Sequence, residues 1–141
     1  MRVDSIKNGI VIDHIDAGRA TDIYDMLSLD KLDCPIAILK NVPSEKMGKK
    51  DIIKIDSELA FSLPVEILGA ISRNITVVTV KDGEVASKKQ VSLPLEIRDF
   101  LRCKNPRCIT STEQELSHVF RLTDPEKRIY RCLWCETQAE R

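Results

Sequence analysis

The chain has 141 residues in which 22 Lys+Arg balance 22 Asp+Glu, so the formal net charge is zero. That balance argues against a protein whose affinity for DNA or RNA rests on surplus cationic charge, and no apolar run approaches the ~20 residues of a membrane-spanning helix. The length suits one domain or two small ones. Five cysteines without a secretory leader point to a reducing compartment, so the expected location is the cytoplasm.

Asn8-Gly9 is a turn pair, and Ile10-Val11-Ile12-Asp13-His14-Ile15-Asp16 is a β-branched run that reads as a strand. Strict alternation puts Val11, Asp13 and Ile15 on one face and Ile10, Ile12 and His14 on the other. Apolar residues on both faces predict a central strand, with Asp13 and His14 at its C-terminal end pointing opposite ways. The plainer reading of that pair is two solvated side chains at a strand end. From Ala17 to about Leu29, the residues Ala20, Ile23, Tyr24 and Leu27 recur at helical spacing and predict an amphipathic helix. Pro35 to Leu39 predicts a second strand, with Cys34 before it as a small buried hydrophobe. Asn41 to Lys50 reads as a polar loop whose Lys46, Lys49 and Lys50 form a solvated charge run.

Asp51 to Asp56 predicts a third strand, with Ile53 and Ile55 on one face and Ile52 and Lys54 on the other. Ser62 and Pro64 carry helix-start signals, and Val65, Ile67, Leu68 and Ile71 predict a second helix. Ile75 to Val80 is a strand, and Asp82-Gly83 supplies a hairpin turn to a return strand from about Val85 to Val91. The order β-α-β-β-α-β-β predicts an α+β fold: a ferredoxin-like sandwich with an antiparallel or mixed sheet and two helices on one face. Leu93-Pro94-Leu95 breaks the pattern and Glu96 to Arg102 predicts a short helical connection, so the expected domains are 1–94 and a small all-β domain, 95–141.

In the second domain, Ser117 to Thr123 and Arg128 to Leu133 predict two strands joined by Asp124-Pro125-Glu126-Lys127, with Pro125 suited to a type I turn. Cys103 and Cys108 stand as Cys-x4-Cys, and Cys132 and Cys135 as Cys-x2-Cys after a gap of 23 residues. Four thiolates in two close pairs can surround a tetrahedral Zn²⁺ at about 2.3 Å per bond and leave no position for water. A segment this small is one in which metal replaces a core. The expectation is one structural zinc per chain, with Trp134 as a shield over it. Two disulfides are an alternative that would leave Cys34 over, and a Cys132–Cys135 redox pair is another, lacking its usual βαβ setting. His14 and His118 fall in different domains, no nucleophile-elbow or phosphate-loop signature occurs, and a closed zinc offers no open position. No residue is expected to be catalytic, and the chain is not expected to be an enzyme.

Four blocks taken together resemble the regulatory chain of aspartate carbamoyltransferase. They are Val11 to Ile15, Met47 to Ile55, Ser92-Leu93-Pro94, and Cys103-Lys104-Asn105-Pro106-Arg107-Cys108-Ile109, in that order and over essentially the whole chain. The resemblance implies a non-catalytic subunit of pyrimidine biosynthesis. Its N-terminal domain would bind the nucleotide effectors CTP and ATP, with UTP and Mg²⁺ as further candidates, and its zinc domain would dock on the catalytic chain. It also implies homodimers of regulatory chains bridging catalytic trimers, six chains of each kind. By position, Asp13, Lys54 and Lys88 match the family's polar nucleotide contacts, and Ile6, Val11, Ile52 and Val85 line the same pocket. His14 and Lys50 match positions near a second, metal-bridged nucleotide, and Asn105 and Glu136 match the contact with the catalytic chain.

The chemistry suits those roles, since a carboxylate accepts from ribose hydroxyls or a base amine and lysines offset phosphate charge. The sequence departs from the family at Val78, where asparagine is common, and at Gly83, where tyrosine is, leaving the backbone of those two residues as the contact. Alternation puts Val85 and Lys88 on opposite faces unless the strand contains a bulge. The competing reading is a zinc-ribbon adaptor for nucleic acid, against which the zero net charge and the lack of an aromatic platform argue.

Overall fold

The computed structural model describes residues 5–99, 101–113 and 115–139. The chain divides into two compact units, Met1–Ser92 and Leu93–Arg141.

The first unit is a five-stranded sheet of β1 (Gly9–Asp16), β2 (Ile36–Ser44), β3 (Gly48–Ile55), β4 (Thr76–Lys81) and β5 (Glu84–Gln90). The spatial order is β2-β3-β1-β4-β5 and every pairing is antiparallel. The β-branched run from Ile10 is central, flanked by β3 and β4. The first four strands follow the ferredoxin-like plan, which the hairpin at Asp82-Gly83 extends by one edge strand. One sheet face carries Ile10, Ile12, Ile15, Ile53 and Ile55, all buried. Fully burying one such side chain stabilises the fold by roughly 1.5–3 kcal/mol. The helix α1 (Ala20–Met26) adds Ala20 and Ile23 to this core, followed by Leu27 and Leu29.

Alternation along β1 does not run to its end. The pairing with β3 shifts register between Ile12 and Ile15, and His14 has φ +57°. This bulge inserts one residue, so Ile15, opposite Asp51, returns to the face of Ile12, opposite Ile53. Val11 and Asp13 remain half-buried on the other face.

The helical segments are shorter than their patterns predict. Asp51 is fully buried, and its carboxylate accepts the backbone N–H groups of Gly18 at 2.9 Å, Ala20 at 3.2 Å and Asn41 at 3.0 Å. It caps α1 from another strand, so the helix starts at Ala20 rather than Ala17. Ser28, at φ +53°, ends the helical run, and Leu29–Lys31 is a separate 3-10 turn. The predicted second helix is instead two 3-10 segments, Glu58–Ser62 and Val65–Ala70. Ser57 caps the first through its hydroxyl, which accepts from Leu59 N–H at 3.1 Å, whereas the Ser62 hydroxyl donates to Leu59 C=O at 3.0 Å and caps nothing. Pro64 lacks an N–H and Gly69 is a poor helix former, so the stretch between them is too short to nucleate an α-helix.

The second unit is a three-stranded antiparallel sheet, β6 (Glu96–Arg98), β7 (Val119–Asp124) and β8 (Ile129–Cys132), in that spatial order, with a single helical turn α2 (Ile109–Thr112). The predicted helical connection is strand β6 instead, because Ile97 is buried opposite Phe120. Asp124 closes the β7–β8 turn by accepting from the N–H groups of Glu126 and Lys127, each at 3.1 Å. Val119, Phe120 and Tyr130 complete a small core, and the Tyr130 hydroxyl donates to Pro94 C=O at 2.6 Å.

Candidate functional site

The sheet face opposite the core carries a continuous cross-strand row. Ala37 pairs with Lys54, Lys54 with Val11, Val11 with Val78, and Val78 with Lys88. Directly paired residues share a face, so two lysines flank two valines on one surface. The neighbouring rows put Leu39 opposite Ile52, and Asp13 opposite Thr76 and then Gln90. Val11, Asp13, Ile52, Lys54 and Lys88 are thereby brought together.

A second bulge adds Val85. Thr79 pairs with Ser87 but Val80 pairs with Val85, so Ala86 is the extra residue of β5. Val78 and Val80 lie two apart on β4, which puts their partners Lys88 and Val85 on the same face. The segment before β1 is tied to this end: Gly83 N–H donates to Lys7 C=O at 2.8 Å and Asp82 N–H to Asn8 Oδ1 at 3.1 Å. Ile6, just before that tie, is buried. The Gly83 N–H is therefore already engaged and is not free for a ligand.

Asp13 and Lys50 are not solvated charges. Lys50 Nζ lies 3.0 Å from Asp13 Oδ1, and His14 N–H donates to the same oxygen at 2.6 Å. Burial pushes the Asp13 carboxyl up, but the Lys50 hydrogen bond, the His14 N–H and the positive charge nearby outweigh it and hold the group below its ordinary value. His14 Nδ1 stands 4.0 Å from Asp13 Oδ2 and is buried, with no hydrogen-bond partner among the described residues. Beside this corner Asp16, Lys46, Met47, Lys49 and Asn74 line an open cleft of about 660 Å³. One carboxylate, three lysines and an apolar strip of Val11, Ile52 and Val78 suit a ligand with a flat apolar part and an anionic tail.

In the second unit the Sγ atoms of Cys103, Cys108, Cys132 and Cys135 all lie within 4.8 Å of one another. Cys103 and Cys135 are 3.5 Å apart, and Cys108 and Cys132 3.7 Å. A tetrahedron with metal–sulfur bonds of about 2.3 Å has edges of about 3.8 Å, so the donor set fits one four-coordinate ion. All five cysteines are free. The close pairs cross between the two motifs, as the four donors of one shared ion would.

The thiols differ in character without a cation. Burial pushes Cys103 up to about 12, while Cys135 falls to about 6 because Thr137 and the neighbouring Cys103 outweigh the effect of burial. A bound cation would draw all four into thiolate form. Thr110 Oγ1 donates to Cys108 Sγ at 3.1 Å, and the Thr137 hydroxyl lies 3.2 Å from Cys135 Sγ.

Trp134 is 46% exposed, its Nε1–H donating to Ser117 C=O at 3.1 Å, and Ile109 and Leu133 are exposed as well. Asn105 braces the first cysteine loop: its side chain donates to Thr137 Oγ1 at 3.3 Å and accepts from Arg107 N–H at 3.0 Å. Glu136 is exposed in a left-handed turn at φ +64°. Asp51 and His118 are the supporting residues that sequence reasoning passed over. A carboxylate after a lysine run gives no local sign of the three amides it meets, and a histidine fifteen positions from Cys103 gives no sign of their contact.

Two family models match in tandem. That of the aspartate carbamoyltransferase regulatory chain, allosteric domain, covers residues 1–92, and that of its metal binding domain covers residues 95–141. The chain is 43% identical to the aspartate carbamoyltransferase regulatory chain of Clostridium acetobutylicum, over 96% of this chain and 92% of the relative. It is 43% identical to that of Clostridium tetani over 96% and 94%, and 38% identical to that of Bifidobacterium longum over 99% of both.

Proposed function

Because the chain belongs to the family of aspartate carbamoyltransferase regulatory chains, we propose that its first domain, 1–94, senses a nucleotide on the open sheet face and that its second, 95–141, docks on the catalytic chain. It is a regulatory, non-catalytic polypeptide. The observation that carries the reading is the row Lys54–Val11–Val78–Lys88 with Asp13 one row away. In this reading Lys54 and Lys88 offset the phosphates of CTP, ATP or UTP, and Asp13 accepts from a ribose hydroxyl or base amine. Ile6, Val11, Ile52 and Val85 supply the apolar wall. His14 and Lys50 form the corner at which a second nucleotide, bridged by Mg²⁺, is placed.

Zinc is the ion assigned to the four cysteines, since a closed tetrahedral set of thiolates is its usual structural site. When bound it supplies a fold-holding cross-link and no reaction chemistry. Asn105 and Glu136 stand on the loops that the cysteines anchor, and we assign them to the contact with the catalytic chain. Regulatory homodimers would bridge catalytic trimers, six chains of each kind, in the cytoplasm, so that nucleotide levels control pyrimidine biosynthesis. An effector changes a distant catalytic site only if its affinity differs between two states of the assembly, and such couplings are typically about 1–3 kcal/mol.

Calorimetry of the purified complex with CTP, ATP and UTP, repeated with Lys54→Ala, tests the reading. Loss of one charge-assisted contact is expected to weaken binding by roughly tenfold or more. Unchanged affinity in the variant, or no heat with any of the three nucleotides, would refute it.

A further inference from the structure

The residues between the two cysteine pairs do more than connect them. Cys103 N–H donates to His118 Nδ1 at 3.2 Å, so the amide of the first ligand is held by an imidazole. His118 is itself clamped to the same loop: its N–H donates to Asp99 Oδ1 at 3.0 Å, and its C=O accepts from Asp99 N–H at 2.7 Å. Its two neighbours reach the other cysteine pair. Ser117 C=O accepts from Trp134 Nε1–H at 3.1 Å, and Val119 C=O accepts from Leu133 N–H at 2.8 Å.

Three consecutive residues, 117–119, thus tie both halves of the cysteine cluster to one strand entry. The bond to the ligand residue Cys103 is the tie made by the His118 side chain. We propose that His118 is a positioning residue for the metal, an outer-shell acceptor that fixes the peptide of Cys103 and with it the placement of Sγ. As Nδ1 is the acceptor, the ring proton resides on Nε2. Outer-shell groups that orient ligands typically change metal affinity 10–100-fold when removed. The proposal rests on the metal reading above and goes beyond it by naming what holds the ligand.

The test uses the full chain loaded with zinc, following transfer of the ion to a chromophoric chelator. Cys103 and His118 both border an open cavity of about 600 Å³, which gives the chelator access. His118→Ala is expected to release zinc at least about tenfold faster, and His118→Asn, whose side-chain oxygen can accept the same bond, to stay near the wild-type rate. Equal rates in wild type and His118→Ala would overturn the proposal, as would equal acceleration in Ala and Asn variants, which would mean that ring packing alone matters. Should His118→Ala fail to fold, nitrogen NMR of the unaltered protein decides: an Nε2–H tautomer with a slowly exchanging Cys103 amide supports the role, and an Nδ1–H tautomer or a freely exchanging amide removes it. A wild-type chain that takes up no zinc would instead defeat the metal assignment, and this proposal with it.

Discussion

Lys50 Nζ lies 3.0 Å from Asp13 Oδ1, with the two side chains only 17% and 24% exposed. The pair joins the N-terminal end of β3 to the C-terminal end of β1, across the bulge at His14. A lysine that reads as part of a solvated run is in fact the main counter-charge of the central strand's carboxylate.

The titration of Asp13 should report this directly. Its pKa is depressed in the folded state, so the stabilisation is present above the unfolded value of about 3.9 and is lost as pH falls through the lower folded value. Lys50→Met removes the largest of the opposing causes and should raise the Asp13 midpoint, leaving burial less opposed. Carbon NMR of the carboxyl group across pH 2–6 checks it; an unmoved midpoint would show that the ion pair does not persist in solution.

Asp51 is predicted to be the most sensitive polar position of the first domain. Asp51→Ala leaves three buried or half-buried amides without their acceptor, and each unsatisfied group costs about 1–3 kcal/mol. Urea unfolding should show a loss above ~3 kcal/mol on that scale, with α1 losing amide-exchange protection first. A loss under ~1 kcal/mol would mean that water replaces the carboxylate without difficulty.

The bulge in β5 offers a test of the nucleotide face that removes no charge. Because the extra residue Ala86 turns Val85 to the face of Lys88, Val85→Ser takes apolar wall from that face while Lys88 keeps its partner Val78. Nucleotide affinity should fall several-fold with the domain still folded. Wild-type affinity in the variant would exclude Val85 from the pocket.

Metal removal should separate the two units. Chelation, or Cys132→Ser, is expected to unfold residues 95–141 while the sheet of the first unit keeps its amide protection, because the second unit's core is little more than Ile97, Val119, Phe120 and Tyr130. Co-purification with the catalytic chain should be lost at the same step. If the metal-free chain still co-purifies, docking does not depend on the cysteine loops.

Local pattern carried a good deal of this protein. A β-branched run long enough to be central, an Asp-Gly hairpin, a proline break near residue 94 and two cysteine pairs are each written in a few adjacent residues, and the sheet and four-sulfur cluster follow from them. Pairing partners decided what pattern could not reach. Alternation counts residues along one strand, whereas the bulges at His14 and Ala86 exist only relative to the neighbouring strand and reverse the faces of Ile15 and Val85. Asp51, Lys50 and His118 owe their roles to groups 10 to 37 positions away, which no window of sequence contains. Propensity is a property of neighbours in the chain, but a buried charge or amide is satisfied by neighbours in space, and folding alone supplies those.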